Sequence, residues 1–519
     1  MGNHLVHHEL ERQAYWRGDE TGLVFEGDEY TFREFNARVN QTVKALRDIE
    51  VDVGDRIVVH GHNHGDLHTL FFACSKLGAV YSTISTFQSR SNVEHICETL
   101  DPAAVFYTAD EDILSDTFPD VRAAAPDAEF VSLDDSATID DPTLDELVAA
   151  YDGSRPAGSN DHDAEDLHNI FWTSGTTGRP KGVLRDHKAT LHFNDNLHDV
   201  FPFGPENVRL TTNDMMFAAP YLQYGLPTVA SGTTNVVLRT FDPDRVYELY
   251  KKYNVTVMML VFTQGTVLLD YLEERDREIS LRAVHGVVPT AKRARELAKL
   301  TDELYQIFAT TESGLVLVNR LTEPYNDPPV LGRPGRSTDA RLLPPGETEI
   351  PNTPPKPGDI GELITRGDAL MTRYLSDEKQ HEYVTDGWFH TGDGMRVTES
   401  GDLVFEGRID DRIRSGGINI YPAEVEAVLL KHPNVVEAVV VGVDDDTWGQ
   451  RVCALVVTQQ AVEETDRLEA ELDDRCQDSE DLTSEMRPKS YAFTDSTADV
   501  PTGAVNKIDR KAVSRRFFE

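Results

Sequence analysis

TSGTTGRPKG, Thr173 to Gly182, packs hydroxyls, three glycines and two cations into ten residues, just after the apolar pair Ile170-Phe171. Gly175, Gly178 and Gly182 permit backbone turns that aim amide N–H groups at an anion. Thr173, Ser174, Thr176 and Thr177 add hydroxyl donors, and Arg179 and Lys181 add charge. The stretch therefore reads as a phosphate-holding loop fed by a strand. A Walker A loop needs Gly-Lys followed by Ser or Thr, whereas Lys181 stands between Pro180 and Gly182, so a different nucleotide chemistry is implied. A plain solvated Gly/Ser loop is the competing reading of these residues taken alone.

Outward from the loop, the first 400 or so residues alternate apolar strand-like runs, such as Arg56–His60 and Val255–Val261, with amphipathic segments such as Val39–Leu46. That alternation predicts repeated α/β units in open or doubly wound sheets. Tyr151–Asp166 is polar and rich in turn formers and connects into the strand before the loop. Pro344–Gly358 carries six prolines and precedes the strand-like GELITRG. After about residue 410 the texture changes. Pro422 starts a short helix with Val425, Val428 and Leu429 on one face, and Pro433 follows its end. Strand-like runs at Val435–Val443 and Val452–Val457 and an acidic helical stretch at Glu463–Asp474 complete a compact α+β region.

A chain of 519 residues is long enough for more than one folding unit, and 39% hydrophobic with 27% charged residues describes a globular protein rather than a disordered one. The 50 basic against 90 acidic side chains leave a formal charge of −40, which argues against a nucleic-acid partner because phosphate backbones need cationic faces. Acidic runs such as Asp134-Asp135, Asp140-Asp141 and Asp444–Asp446 read as solvated surface. An excess this pervasive resembles the proteomes of salt-accumulating halophiles, where counterions relieve self-repulsion. Cys74, Cys97, Cys453 and Cys476 show no CxxC or Cys/His spacing and read as reduced residues outside any zinc site or disulfide framework. His60, His62 and His64 alternate but read as loop or surface residues rather than metal ligands. No apolar run approaches the roughly 20 residues of a membrane helix. The N-terminal stretch shows neither a secretory signal nor a transit peptide, so the expected compartment is the cytoplasm.

Four further motifs follow the loop in order: FATTE (Phe308–Glu312), HTGD (His390–Asp393), GRIDD (Gly407–Asp411) and PTGAVNKIDR (Pro501–Arg510). Taken alone, Thr-Thr-Glu is ordinarily a helix N-cap with an early acidic residue, and Thr-Gly-Asp a turn. All five together resemble the adenylate-forming superfamily of acyl-CoA synthetases, peptide-synthetase adenylation domains and luciferases. The resemblance runs over nearly the whole chain. It implies an α/β fold with a large N-terminal domain of open α/β sheets plus a β-barrel-like subdomain, residues 1–409. A small mobile α+β C-terminal lid domain, residues 410–519, would follow.

The family's reaction joins a carboxylate to the α-phosphate of ATP and then, in the CoA ligases, passes the acyl group to a thiol. Its implied cofactors are ATP, Mg²⁺ and coenzyme A. By resemblance Glu312 is the metal's carboxylate ligand, and Thr173, Ser174, Gly175, Thr176, Thr177, Gly178 and Lys181 hold the outgoing pyrophosphate. Thr311 sits near the α-phosphate, Phe308 stacks on adenine where the family commonly has Tyr, Asp393 binds the ribose hydroxyls, and Arg408 contacts the ribose or phosphate side of the nucleotide. Asp410 is the hinge. Ser415, Gly416 and Gly417, in RSGGINIYPAEVE, line the pantetheine tunnel. Lys507 is the late lysine bridging carboxylate and α-phosphate; a second register, aligning Thr502-Gly503 with the family's Thr-Gly, puts Ala504 there instead and requires an insertion. Tyr221, Gln223, Tyr224 and Gly225, in PYLQYGLP, fall on the acyl-pocket stretch.

These residues imply an AMP-forming acid:CoA ligase for a fatty or aromatic carboxylic acid, with NIYPAEVE pointing toward fatty acids. The alternatives are an adenylation protein that loads a carrier-protein thiol, although no carrier domain follows in this sequence, and a nucleotide-binding relative without turnover. A small-molecule acid is the expected partner, with no nucleic acid and no integral membrane segment, and a homodimer is a candidate assembly.

Overall fold

A computed structural model describes residues 3–135, 140–159, 161–174, 179–198, 200–286, 288, 290–326, 329–375, 384–409, 411–415, 418–445, 448–459, 465–479, 482–502 and 508–519. The chain packs as two units, Met1–Ala340 with Thr365–Phe389, and Arg341–Ile364 with His390–Glu519. Among the described residues no helix is long and apolar enough to cross a membrane.

The first unit carries two sheets. In the seven-stranded one, Ala104–Tyr107, Arg56–His60, Val80–Ile84 and Leu167–Ser174 run parallel as neighbours, and Glu129–Ser132 extends the edge beyond Ala104–Tyr107. At the other edge Leu167–Ser174 pairs antiparallel with Pro180–Asp186, which pairs in turn with Arg373–Leu375. The second sheet has nine strands, among them the parallel neighbours Val257–Met259, Leu281–Gly286 and Thr301–Thr310, and Thr301–Thr310 pairs antiparallel with Gly314–Leu321. Open parallel sheets gather ligands at the carboxyl ends of their strands. Here those ends deliver Thr173 from one sheet and Thr311-Glu312 from the other.

Helix Phe32–Asp48 shows why the sequence packs this way. Thr31 and Glu34 form a capping box, and Phe32, Phe35, Val39, Val43 and Leu46, at helical spacing, are all buried in one apolar cluster with Phe71 and Phe72. Each such side chain contributes roughly 1.5–3 kcal/mol of burial.

A five-stranded sheet pairs Trp388–Val397 antiparallel with Leu403–Arg408 and also holds Ile360–Arg366. A separate five-stranded sheet contains Val435–Asp445 and Gly449–Thr458. Helices Pro422–Leu429 and Thr465–Asp478 cover one face, on Val440, Val452, Ala454 and Val456. Helix Arg510–Phe517 covers the other, on Val439, Val441 and Leu455. Both faces being buried explains why this strand pair reads as near-continuous valine rather than as an alternating pattern.

Two sequence expectations need correcting. His60 is buried, not superficial: it lies in a central strand, with Nδ1 2.9 Å from the Ile84 carbonyl and Nε2 2.8 Å from Thr117 Oγ1, and burial pulls its imidazole down to about 4. Asp134 is not solvated surface either. It accepts from Ala109 N at 3.0 Å and pairs with Arg239 at 2.5 Å. Alternation along a short segment does not reveal which side a sheet covers.

Candidate functional site

The Thr/Ser/Gly-rich motif sits on the hairpin formed by Leu167–Ser174 and Pro180–Asp186. Its register sets Thr173 opposite Lys181. Thr173 Oγ1 donates to Glu312 Oε1 at 3.4 Å, and Tyr374 Oη donates to the same oxygen at 2.9 Å. Lys181 Nζ lies 5.1 Å from the centroid of the Tyr374 ring. Thus the first two motifs, 139 residues apart, meet at one carboxylate, and Tyr374 joins them from Arg373–Leu375. The intervening Gly175, Thr176, Thr177 and Gly178, and the side chain of Ser174, lie outside the described residues.

Thr311 and Glu312 form the connection between the antiparallel strands Thr301–Thr310 and Gly314–Leu321, so Thr-Thr-Glu is a strand-to-strand turn and not a helix N-cap. Thr310 Oγ1 accepts from Ser313 N at 2.9 Å, which tightens it. Gly314 leaves the turn at φ +74°, and a Cβ there would meet the Phe193 carbonyl at 2.9 Å, so only glycine fits. Phe308 sits half-buried at a β-bulge between itself and Ala309, where an extra residue re-aims the strand.

Oxygen donors converge here: the Glu312 carboxylate, whose Oε2 has no hydrogen-bond partner among the described residues, and the hydroxyl of Thr173 beside it. Such a set fits Mg²⁺, a hard cation held through one or two carboxylates and substrate phosphates.

The HTGD and GRIDD motifs lie in the second unit. HTGD is not a turn but the middle of strand Trp388–Val397, where Gly392 adopts φ +70°. Asp393 is buried and faces Arg408 across the ladder, and Arg408 Nη1 donates to Asp393 Oδ1 at 3.1 Å and to the Thr391 carbonyl at 2.8 Å. Glu362 accepts from Gly392 N at 2.9 Å and lies 3.0 Å from His390 Nδ1, a hydrogen bond that raises the imidazole's pKa. Tyr421, at the start of helix Pro422–Leu429, passes so close to this strand that a Cβ on Gly394 would meet its ring at 3.1 Å.

Ser415 is fully buried, and its Oγ has no hydrogen-bond partner among the described residues. Asp410, Gly416, Gly417 and Lys507 lie outside the described residues, as does Ala504 of the second register. The flanks of Lys507 are placed: Thr502 bridges Ile508, and Asp509 N donates to the Pro501 carbonyl at 2.9 Å. Arg510, the motif's last residue, donates to the Val440 carbonyl at 2.8 Å and pairs with Glu426 and, at 3.5 Å, with Asp411.

The stretch expected at the acyl pocket folds as a π-helical turn, Pro220–Gly225. Tyr221 is fully buried, with its hydroxyl 2.5 Å from that of Tyr81 and its ring stacked 5.2 Å from Phe71. Gln223 is buried and its carbonyl accepts from Asn194 Nδ2 at 2.8 Å. A Cβ on Gly225 would meet the His68 ring at 2.5 Å. The Tyr224 side chain lies outside the described set.

Sequence reasoning missed Tyr374, Glu362 and Arg185. The first two act through contacts with chain far from them in sequence. Arg185 gave one faint signal, a cation inside the apolar strand Pro180–Asp186. Its guanidinium is fully buried and donates to the carbonyls of Thr311, Glu312, Ala369 and Ala189.

Comparison with known proteins now bears on this geometry. The profile of the AMP-binding enzyme family matches residues 10–375, and that of the AMP-binding enzyme C-terminal domain matches residues 424–503. A 2-succinylbenzoate–CoA ligase of Bacillus pumilus is 28% identical, the alignment covering 99% of this chain and 98% of that protein. A feruloyl-CoA synthase of Amycolatopsis is 29% identical, with 98% of each covered. Among solved structures, ATP-bound MatB from Rhodopseudomonas palustris superposes with a TM-score of 0.82 at 24% identity, over 99% of this chain and 98% of that one, a likeness of fold.

Proposed function

The chain belongs to the AMP-binding enzyme family, and on that premise we propose that it adenylates a fatty or aromatic carboxylic acid and passes the acyl group to coenzyme A. It is an AMP-forming acid–thiol ligase using ATP, Mg²⁺ and coenzyme A. In the first half-reaction a carboxylate oxygen attacks the α-phosphorus of ATP and the bond to the β-phosphate breaks, releasing pyrophosphate. In the second, the CoA thiolate attacks the acyl carbon and AMP leaves.

The observation that carries this reading is the meeting of Thr173 and Glu312 at 3.4 Å, with Lys181 on the paired strand. Negative charge grows on the α-phosphate and the leaving pyrophosphate, so fixed donors and cations stabilise it without reorganising. In our assignment Thr173, Lys181 and the glycine-rich loop hold the departing pyrophosphate. Thr311 orients the α-phosphate, and Glu312 is the carboxylate that would hold Mg²⁺. When bound, the ion neutralises phosphate oxygens. Asp393 accepts from the ribose hydroxyls, a task suited to two carboxylate oxygens, and Arg408 keeps it in place. Lys507 pairs the two reacting oxygens, Ser415, Gly416 and Gly417 border the thiol's path, and the stretch Tyr221–Gly225 flanks the acyl group. Residues 410–519 swing about Asp410. We place the enzyme in the cytoplasm, where ATP and coenzyme A are available, and take a homodimer as its candidate assembly.

The names of the two relatives describe aromatic acids, which supports trying that class first, although NIYPAEVE favoured fatty acids. The test is a screen of short, medium, long-chain and aromatic acids for AMP release with ATP, Mg²⁺ and coenzyme A in molar KCl. Acid-dependent AMP and acyl-CoA are expected. Acyl transfer to a carrier-protein thiol but not to coenzyme A contradicts the second half of the proposal, and ATP binding without turnover contradicts the first.

A further inference from the structure

Arg185 is among the largest fully buried side chains of the described residues, and the carboxylates that act on its charge are those of Glu312 and Asp186. Strand alternation puts it on the same face of Pro180–Asp186 as Lys181 and Val183. Its nitrogens are all committed to backbone carbonyls. Nε and Nη2 donate to Thr311 O, the first at 3.1 Å, Nη2 also to Glu312 O at 3.0 Å, and Nη1 to Ala369 O at 2.6 Å and to Ala189 O at 3.4 Å. The guanidinium carbon lies 4.6 Å from the centroid of the Phe193 ring. Glu312 O accepts a further bond, from Met371 N at 2.7 Å.

A buried cation of this kind is costly. If the strand needed only volume, an apolar side chain would fill the space at lower cost. What the guanidinium does that no apolar side chain can do is hold three separate stretches of backbone, at 189, 311–312 and 369, with directional bonds. Two of those carbonyls belong to the very residues whose side chains face the nucleotide in the proposed site.

We propose that Arg185 is a positioning residue for the adenylation half-reaction, fixing the backbone of Thr311 and Glu312 so that the hydroxyl and carboxylate keep the direction needed for Mg²⁺ and the α-phosphate. This rests on the assignment of Glu312 above. Residues that orient a ligand through its own hydrogen bonds change metal affinity about 10- to 100-fold when removed. Lysine keeps the charge but offers a point donor in place of a fork, so Arg185→Lys isolates geometry from charge, and Arg185→Met keeps the apolar stem alone.

The experiment compares wild type, Arg185→Lys and Arg185→Met in three measurements. These are Mg²⁺ dependence of acid-driven pyrophosphate release, calorimetric binding of ATP across Mg²⁺ concentrations, and thioester formation from a supplied acyl-adenylate with coenzyme A. The expected result is an Mg²⁺ half-saturation raised about tenfold or more in Arg185→Met and by less in Arg185→Lys. Mg²⁺-dependent ATP binding weakens in parallel, and the thioester step stays within about twofold of wild type. A folded Arg185→Lys with wild-type Mg²⁺ dependence in both release and binding overturns the proposal, whether or not Arg185→Met folds. Equal loss in both half-reactions also overturns it, since that marks general support of the fold. If wild type itself binds ATP without Mg²⁺ dependence, the Glu312 assignment falls with it; if only the variants are indistinguishable from wild type, the Arg185 role alone falls.

Discussion

Asp393 and Lys507 offer the sharpest tests of individual roles. Asp393 is buried and shares the same small network as Arg408 and Thr391, so its carboxylate cannot be replaced by water. A hydrogen bond to a charged group is worth about 1.5–3 kcal/mol. Asp393→Ala should therefore raise KM for ATP by roughly ten- to hundredfold in steady-state kinetics and leave KM for the acid within about twofold. An unchanged KM for ATP removes Asp393 from the ribose. Lys507→Ala should abolish acid-dependent pyrophosphate release while sparing thioester formation from a supplied acyl-adenylate. Loss of the second step alone would hand the first to another residue. The motifs were legible in the sequence because they set particular side-chain types in a particular order. Arg185, Tyr374 and Glu362 were not, because what matters about them is which distant carbonyl or carboxylate they reach, and no local pattern encodes that.

Among the elements, helix Pro422–Leu429 carries a titratable contact. Glu424 on this helix lies against Glu406 on strand Leu403–Arg408, which is itself paired with Arg396 at 2.5 Å. Burial, and then the neighbouring Glu406 charge, push Glu424 up to about 7 from 4.5. The folded unit thus holds this proton more tightly than the unfolded chain. The resulting stabilisation is complete below pH 4.5 and is lost as the pH rises through about 7. Glu424→Gln, which mimics the protonated acid, should leave the melting temperature nearly unchanged at pH 5 and raise it relative to wild type at pH 8. A difference between the two proteins that is constant with pH contradicts this. Element types were largely readable: helix Pro422–Leu429 and the valine-rich strands stand where periodicity put them. Thr-Thr-Glu and Thr-Gly-Asp were not, because each is a local motif whose conformation is settled by the strand that pairs with it.

Across the whole molecule, a formal charge of −40 repels itself at low ionic strength. Screening shrinks from about 10 Å at 0.1 M salt to about 3 Å at 1 M, so unfolding should occur at a clearly higher temperature in molar KCl than in dilute buffer. Equal melting temperatures would show that the acidic surface is already neutralised by its own ion pairs, such as those of Arg239 and Arg38. The division into a large α/β part and a smaller α+β part was visible as a change of texture near residue 410. The packing groups 341–364 and 390–409 with the C-terminal part, a preference that texture alone does not express.

The central claim is that a carboxylic acid is activated by transfer onto AMP before any thiol takes part. Exchange of labelled pyrophosphate into ATP, measured with acid and Mg²⁺ and without coenzyme A, tests it most directly. Acid-dependent exchange, with AMP and not ADP as the nucleotide product once coenzyme A is added, is the predicted result. Formation of ADP and phosphate with no pyrophosphate exchange would contradict it.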